Sequence, residues 1–92
     1  LNPYGMAHGG FLFTLADSVA GLTTVAGGSY SVTLQSNIHY MKAAKLGDTL
    51  SVTGSCTHDG SRTKVVEVKI ENQDKKLLAS ASFTMFVTGK VE

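Results

Sequence analysis

His8-Gly9-Gly10-Phe11-Leu12-Phe13-Thr14-Leu15-Ala16-Asp17 opens an apolar stretch that continues to Ala26, and its reading decides the fold. Apolar side chains recur at helical spacing through Phe11, Leu15, Val19, Leu22 and Ala26, with Leu12 beside them. This spacing predicts one long helix with that face turned to the core. Gly27-Gly28 supplies the stop. On a helical wheel Asp17 falls opposite the stripe, among Thr14, Ala20, Gly21 and Thr24, a small and weakly polar surface that a second subunit can approach closely. Two glycines at the start leave backbone N–H groups bare at the positive end of the helix, where an electron-rich oxygen can come near. A carboxylate about two turns further in is costly to bury without compensation. Together the two devices suit polarising a carbonyl while delivering water to it.

Downstream of the helix the period changes from helical to alternating. Ser31 to Met41 places Val32, Leu34, Ile38 and Tyr40 on one side and Thr33, Gln35, Asn37 and His39 on the other. Leu46-Gly47-Asp48 reads as a turn, and Thr49 to Thr57 alternates again through Leu50, Val52, Gly54 and Cys56. Asp59-Gly60 is a hairpin signal leading into Arg62 to Asn72, where Val66, Val68 and Ile70 face inward. Gln73-Asp74 turns the chain into a last strand, Leu77 to Val87, with Leu77, Ala79, Ala81, Phe83, Met85 and Val87 on one face. Short connections predict an antiparallel meander. Asn2-Pro3-Tyr4-Gly5 ahead of the helix is a loop signal.

Composition narrows the function. The chain has 92 residues, 42% hydrophobic and 16% charged, with ten glycines, one proline and a net charge of +1. A domain of this size buries only about 60% of the surface its unfolded chain exposes, so partner subunits are expected. The charge gives no field to hold nucleic acid or an anionic membrane, and no apolar run approaches the roughly 18 residues of a membrane span. A single Cys56 cannot form an internal disulfide, which fits a reducing, cytoplasmic setting. His8, His39 and His58 lack compact zinc-ligand spacing, so no metal is expected.

One helix followed by four antiparallel strands has a natural packing solution in which the sheet curls around the helix and covers its apolar face. The expectation is a two-layer α+β domain spanning residues 1–92. The motifs Asn2-Pro3-x-Gly5-x-x-His8-Gly9-Gly10-x-x-Phe13-x-Leu15-Ala16-Asp17, Asn37-x-x-Tyr40-Met41 and Leu46-Gly47-Asp48 resemble those of the hotdog-fold acyl-CoA thioesterases of the PaaI-like, phenylacetate-degradation branch. The resemblance implies a hotdog fold, a curled antiparallel β-sheet wrapped around one long central helix. By the resemblance, a further strand is expected ahead of the position of Leu1, so that this sequence is either a fragment or has that sheet position filled by something else, and many relatives have a proline near the position of Ala43.

By the same resemblance, the amide N–H of Gly9 binds the thioester carbonyl, and Asp17 acts from the facing subunit as general base or nucleophile. Asn2 and His8 line the pocket and Thr33 orients the attacking water. Arg62 and Lys42 match the basic side chains that grip the coenzyme A phosphates. Coenzyme A enters as part of the substrate and no separate cofactor is implied. The assembly implied is a homodimer with shared sites, pairing into a homotetramer.

Each residue also has a plainer reading. His8 can pack at the helix start, Gly9 and Gly10 can serve close helix–sheet packing, and Asp17 can be a structural carboxylate at a subunit boundary. Thr33 and Asn37 can be ordinary strand residues, Arg62 and the lysines a solvated face, and His39, His58 and Cys56 structural. A non-catalytic acyl-CoA-binding domain and an enoyl-thioester hydratase stand beside the thioesterase reading as alternatives, and the acyl group itself is open to aromatic or aliphatic choices around Phe11, Phe13, Tyr40 and Met41.

Overall fold

A helix α1 (Gly9–Ala26) precedes strands β1 (Ser29–Tyr40), β2 (Ser51–Asp59), β3 (Thr63–Glu71) and β4 (Leu77–Lys90) in the computed structural model, which describes residues 9–45 and 47–92. Element types and order match the sequence periods. The loop signal at Asn2-Pro3-Tyr4-Gly5, together with His8 and Leu46, lies outside the described residues.

The helix ends because Gly28 takes a positive φ of 97°, which a glycine adopts without Cβ strain. Its N–H then donates to Val25 O at 2.9 Å, while Gly27 N–H donates to Thr23 O at 3.1 Å. At the other end of the sheet Gly47, with φ of 93°, lets Asp48 N–H return to Lys45 O. The Lys45 backbone N–H and the Gln73 side chain both donate to the Asp48 carboxylate and hold its pKa below the usual value.

The four strands form one antiparallel sheet in the order β1-β4-β3-β2. The expected meander holds for β2, β3 and β4 only. β1 pairs with β4, not with its sequence neighbour β2. With β1 and β2 on opposite edges, the curled sheet clasps the helix from both flanks.

The helix turns a different face inward from the one its largest side chains suggest. Leu12, Ala16, Ala20 and Thr24, spaced by four, are buried, with Phe13, Leu15 and Val19 packed beside them. Phe11, Leu22 and Ala26, expected in the core, are exposed, Leu22 by 66%. Three of the four buried residues are small, and on the flank beside β2 the sheet comes especially near. Gly54 of β2 shows how near, because a Cβ there would overlap Thr23 Oγ1 and stand 3.0 Å from Val19 Cγ1. Thr23 cannot swing away freely, since its hydroxyl donates to Val19 O at 2.7 Å. Gly54→Ala is therefore expected to cost about 1–3 kcal/mol by overpacking. Gly89→Ala, with no atom within 4 Å of its Cβ position, is the control and stays within about 0.5 kcal/mol. Urea titrations of the two variants compare them directly.

The sheet's helix-facing side supplies the rest of the core: Val66, Val68 and Ile70 of β3 and Ala79, Ala81, Phe83 and Met85 of β4. Phe13 of the helix meets Phe83 with ring centroids 5.8 Å apart and planes at 42°, a tilted aromatic contact. Lys64 continues the same inner row of β3 and is 8% exposed. Its ammonium is paired with the Asp59 carboxylate across the β2–β3 hairpin, and the hydrogen bond and charge of Lys64 hold the Asp59 carboxyl below its ordinary value. A lowered carboxyl contributes stability above its unfolded pKa and loses it as pH falls through the folded value. Asp59→Asn, which strands a largely buried ammonium, should lower the urea midpoint at pH 7, and the gap from the wild type should narrow as pH falls below the ordinary aspartate value of about 3.9.

Candidate active site

β1 carries the feature that shapes the site. Val32 pairs with Phe86, Thr33 with Met85, and then Gln35 with Thr84 and Ser36 with Phe83, so Leu34 is an extra, unpaired residue. Paired residues on antiparallel strands point to the same side, so the bulge reverses the facing of the strand. Thr33, Ser36 and Ile38 share the helix side with Met85, Phe83 and Ala81, while Val32, Gln35, Asn37 and His39 face outward. The uninterrupted alternation expected through Val32, Leu34, Ile38 and Tyr40 is thus broken at Leu34. Val32 and Ile38 lie on opposite faces.

The consequence is that Thr33 meets the helix. Its hydroxyl donates to Asp17 Oδ1 at 3.1 Å. Two residues before Thr33 on β1, Ser31 shares a hydroxyl–hydroxyl hydrogen bond of 2.7 Å with Thr24, two helical turns beyond Asp17. Asp17 is half-buried on the flank of the helix beside β1, at the border of the packed face, not opposite it as the wheel suggested. Ser18 points outward and is exposed, so the hydroxyl partner of the carboxylate is Thr33. A second acceptor of Thr33, invisible to sequence reading, is Met85 Sδ at 3.4 Å. Only the β1–β4 register brings these two residues together.

Gly9 begins the helix, as expected, and the first turn carries no acidic side chain to offset its N–H groups. Asp17 lies eight residues on, about 12 Å along the axis at 1.5 Å per residue. The carboxylate therefore cannot serve a group docked on its own helix start. His8 and Asn2, the remaining pocket residues implied by the resemblance, lie outside the described residues.

Arg62 and Lys42 are not brought together. Arg62 O accepts from Val87 N–H, whereas Lys42 N–H donates to Leu78 O. Nine residues of β4 separate those anchor points, about 30 Å of strand. Lys42 instead lines a polar cleft of about 180 Å3 with Lys45, Asp48, Gln73 and Lys76. Phe13 is committed to the core through Phe83, while Phe11, Tyr40 and Met41 are exposed.

The sequence profile of the thioesterase superfamily matches residues 4–79. The chain belongs to that superfamily. It is 34% identical over 79 residues to the acyl-coenzyme A thioesterase PaaI of Escherichia coli, covering 86% of this chain and 56% of that one. The chain thus spans little more than half the length of this curated relative. Among solved structures, a Streptococcus mutans protein bound to acetyl CoA superposes with a TM-score of 0.96 at 56% identity, over 100% of this chain and 74% of its own. A hypothetical thioesterase of Streptococcus pneumoniae, solved with coenzyme A, gives 0.96 at 51% identity with the same coverage. That pneumococcal protein has also been solved with an aspartate, and separately a threonine, replaced by alanine. The helix clasped by a curled four-stranded sheet is accordingly the hotdog fold of the superfamily.

Proposed function

We propose that this domain hydrolyses acyl-CoA thioesters, of a small aromatic or medium-chain acyl group, to the free acid and coenzyme A. The observation that carries the reading is the Asp17–Thr33 pair: a half-buried carboxylate held at 3.1 Å by a hydroxyl on the bulged edge strand. Its support from relatives is a matter of spacing. The aspartate and threonine substituted in the pneumococcal thioesterase are sixteen positions apart, the separation of Asp17 and Thr33 here.

The chemistry follows from the geometry. The thioester carbonyl oxygen takes a hydrogen bond from the Gly9 amide at a helix start, where the dipole favours the negative charge that grows on that oxygen. Water held between Thr33 and Asp17 attacks the carbonyl carbon as Asp17 accepts its proton. The C–S bond then breaks, and the thiolate leaves with that proton as the thiol of coenzyme A. Because Asp17 stands about 12 Å from its own helix start, the Gly9 amide and Asp17 at one site come from two copies. β1 is suited to join them: it is an edge strand of the described sheet, and its Tyr30, Val32 and Leu34 are each more than half exposed. A two-fold pairing of such dimers gives the tetramer implied by the resemblance. Arg62 and Lys42 then act on one coenzyme A only when contributed by different copies. An exposed, unpaired Cys56 suits the reducing cytoplasm. Among the described residues no helix is long and apolar enough to cross a membrane.

The test is release of coenzyme A thiol, followed with a thiol reagent, from a panel of aryl- and alkyl-CoA thioesters. Turnover on some of them, with saturation kinetics, is the expected result. Binding of the whole panel without turnover would leave a non-catalytic acyl-CoA-binding domain instead.

A further inference from the structure

Thr33 has one proton and two acceptors. Its Oγ1 stands 3.1 Å from Asp17 Oδ1 and 3.4 Å from Met85 Sδ, and a hydroxyl donates to one acceptor at a time while its oxygen accepts from others. With the proton on the Asp17 side, the hydroxyl is spent on the carboxylate, and that bond must be given up before the Thr33 oxygen can accept along that direction. With the proton turned to Met85, the Thr33 oxygen offers its lone pairs to the site, where a water or the protonated Asp17 can donate to them.

Met85 is built to hold that second setting. It is 2% exposed, lies in the hydrophobic core, and is paired with Thr33 on one side and Lys64 on the other in a continuous inner row of the sheet. A thioether is a weak acceptor, and weakness is what a switching hydroxyl requires: a strong acceptor would keep the proton permanently. We propose that Met85 is a positioning residue of the hydrolytic site, its sulfur receiving the Thr33 proton so that the Thr33 oxygen accepts from the attacking water and then from protonated Asp17. This inference rests on Asp17 acting as the base.

Other titratable groups on the surfaces packed around Asp17 are few. The helix carries no other charged residue, and the inner faces of the strands present Tyr40 of β1, Cys56 and Asp59 of β2 and Lys64 of β3, the last two paired with each other.

The experiment is the pH dependence of kcat for Met85→Leu on the preferred thioester. Leucine keeps volume and apolarity but offers no acceptor, so Thr33 donates to Asp17 throughout. The expected result is a roughly threefold to tenfold lower kcat, the scale of one hydrogen bond. KM should be unchanged and the acidic limb of the profile displaced to lower pH. In a Thr33→Val background the same substitution should displace nothing further. An unshifted limb in Met85→Leu, or a shift that survives in Thr33→Val, overturns the proposal. Norleucine incorporated at methionine positions keeps the unbranched shape without sulfur and gives the same comparison should Met85→Leu unfold. If Asp17→Asn retains full activity, the assignment of Asp17 as the base, on which this inference rests, has failed; if Asp17→Asn is inactive and Met85→Leu silent, this inference alone has.

Discussion

Asp17→Asn is expected to lower kcat for acyl-CoA hydrolysis by about 10²- to 10⁴-fold, the usual contribution of a positioned general base, while KM moves by no more than a few fold. Asparagine has the shape of aspartate and its carbonyl oxygen can still accept from the Thr33 hydroxyl, so the helix–β1 contact survives and the fold is unaffected. What it lacks is the ability to take a proton from water or to attack the carbonyl. Binding energy residing in the helix start and in contacts to coenzyme A is left in place. Steady-state kinetics on the wild type's preferred thioester, with acyl-CoA binding measured separately by calorimetry, read the two quantities apart. Retained turnover would mean that Asp17 is a structural carboxylate and that the proton acceptor lies elsewhere. Equal loss of binding and turnover would mean that the carboxylate holds the substrate or the assembly together.

Phe83→Ala is expected to remove about 3–5 kcal/mol of stability, the range for emptying a buried phenyl site. Phe83 is fully buried in the interior strand β4, paired with Ser36 and Val66 on either side and in contact with the Phe13 ring. The sheet and helix that surround it are tied by backbone hydrogen bonds and cannot collapse into the void. Against the roughly 5–14 kcal/mol that a chain of this length commands, the loss takes about a fifth of the total or more. Urea unfolding at a fixed protein concentration is the proper measurement, because subunit association adds a concentration-dependent term to apparent stability. A loss below about 1 kcal/mol would show that the Phe13–Phe83 contact is not the centre of the core.

These predictions differ in how far they could be anticipated from the sequence. The Asp17 prediction follows from an ionisable residue in an otherwise uncharged helix, visible in one dimension. The resemblance gives Thr33 the role of orienting the attacking water, but its reach to Asp17 depends on the Leu34 bulge, which flips the facing of β1 midway. No alternation of residue types announces an inserted residue in a strand whose two faces are both half exposed. Met85 as a second acceptor was out of reach, because it is 52 positions away and arrives only through the β1–β4 pairing. The inward face of the helix is hidden from the sequence for a related reason. Most of this helix is apolar or small, so hydropathy has little contrast to read, and only the packing against the sheet shows Leu12, Ala16, Ala20 and Thr24 buried while Phe11 and Leu22 are exposed.

The chain alone determined its elements and their chemistry: a helix ended by glycines, four strands in alternating or apolar runs with turn residues between them, and a carboxylate set in an uncharged rod. Those are local properties, fixed by backbone preference and by the period at which apolar side chains recur. Tertiary structure decided which strand lies beside which, which helix face is covered, and which hydroxyl meets the carboxylate. Each of these depends on distances between segments far apart in sequence, where the closeness of packing, rather than the hydrophobicity of any one residue, selects the neighbours.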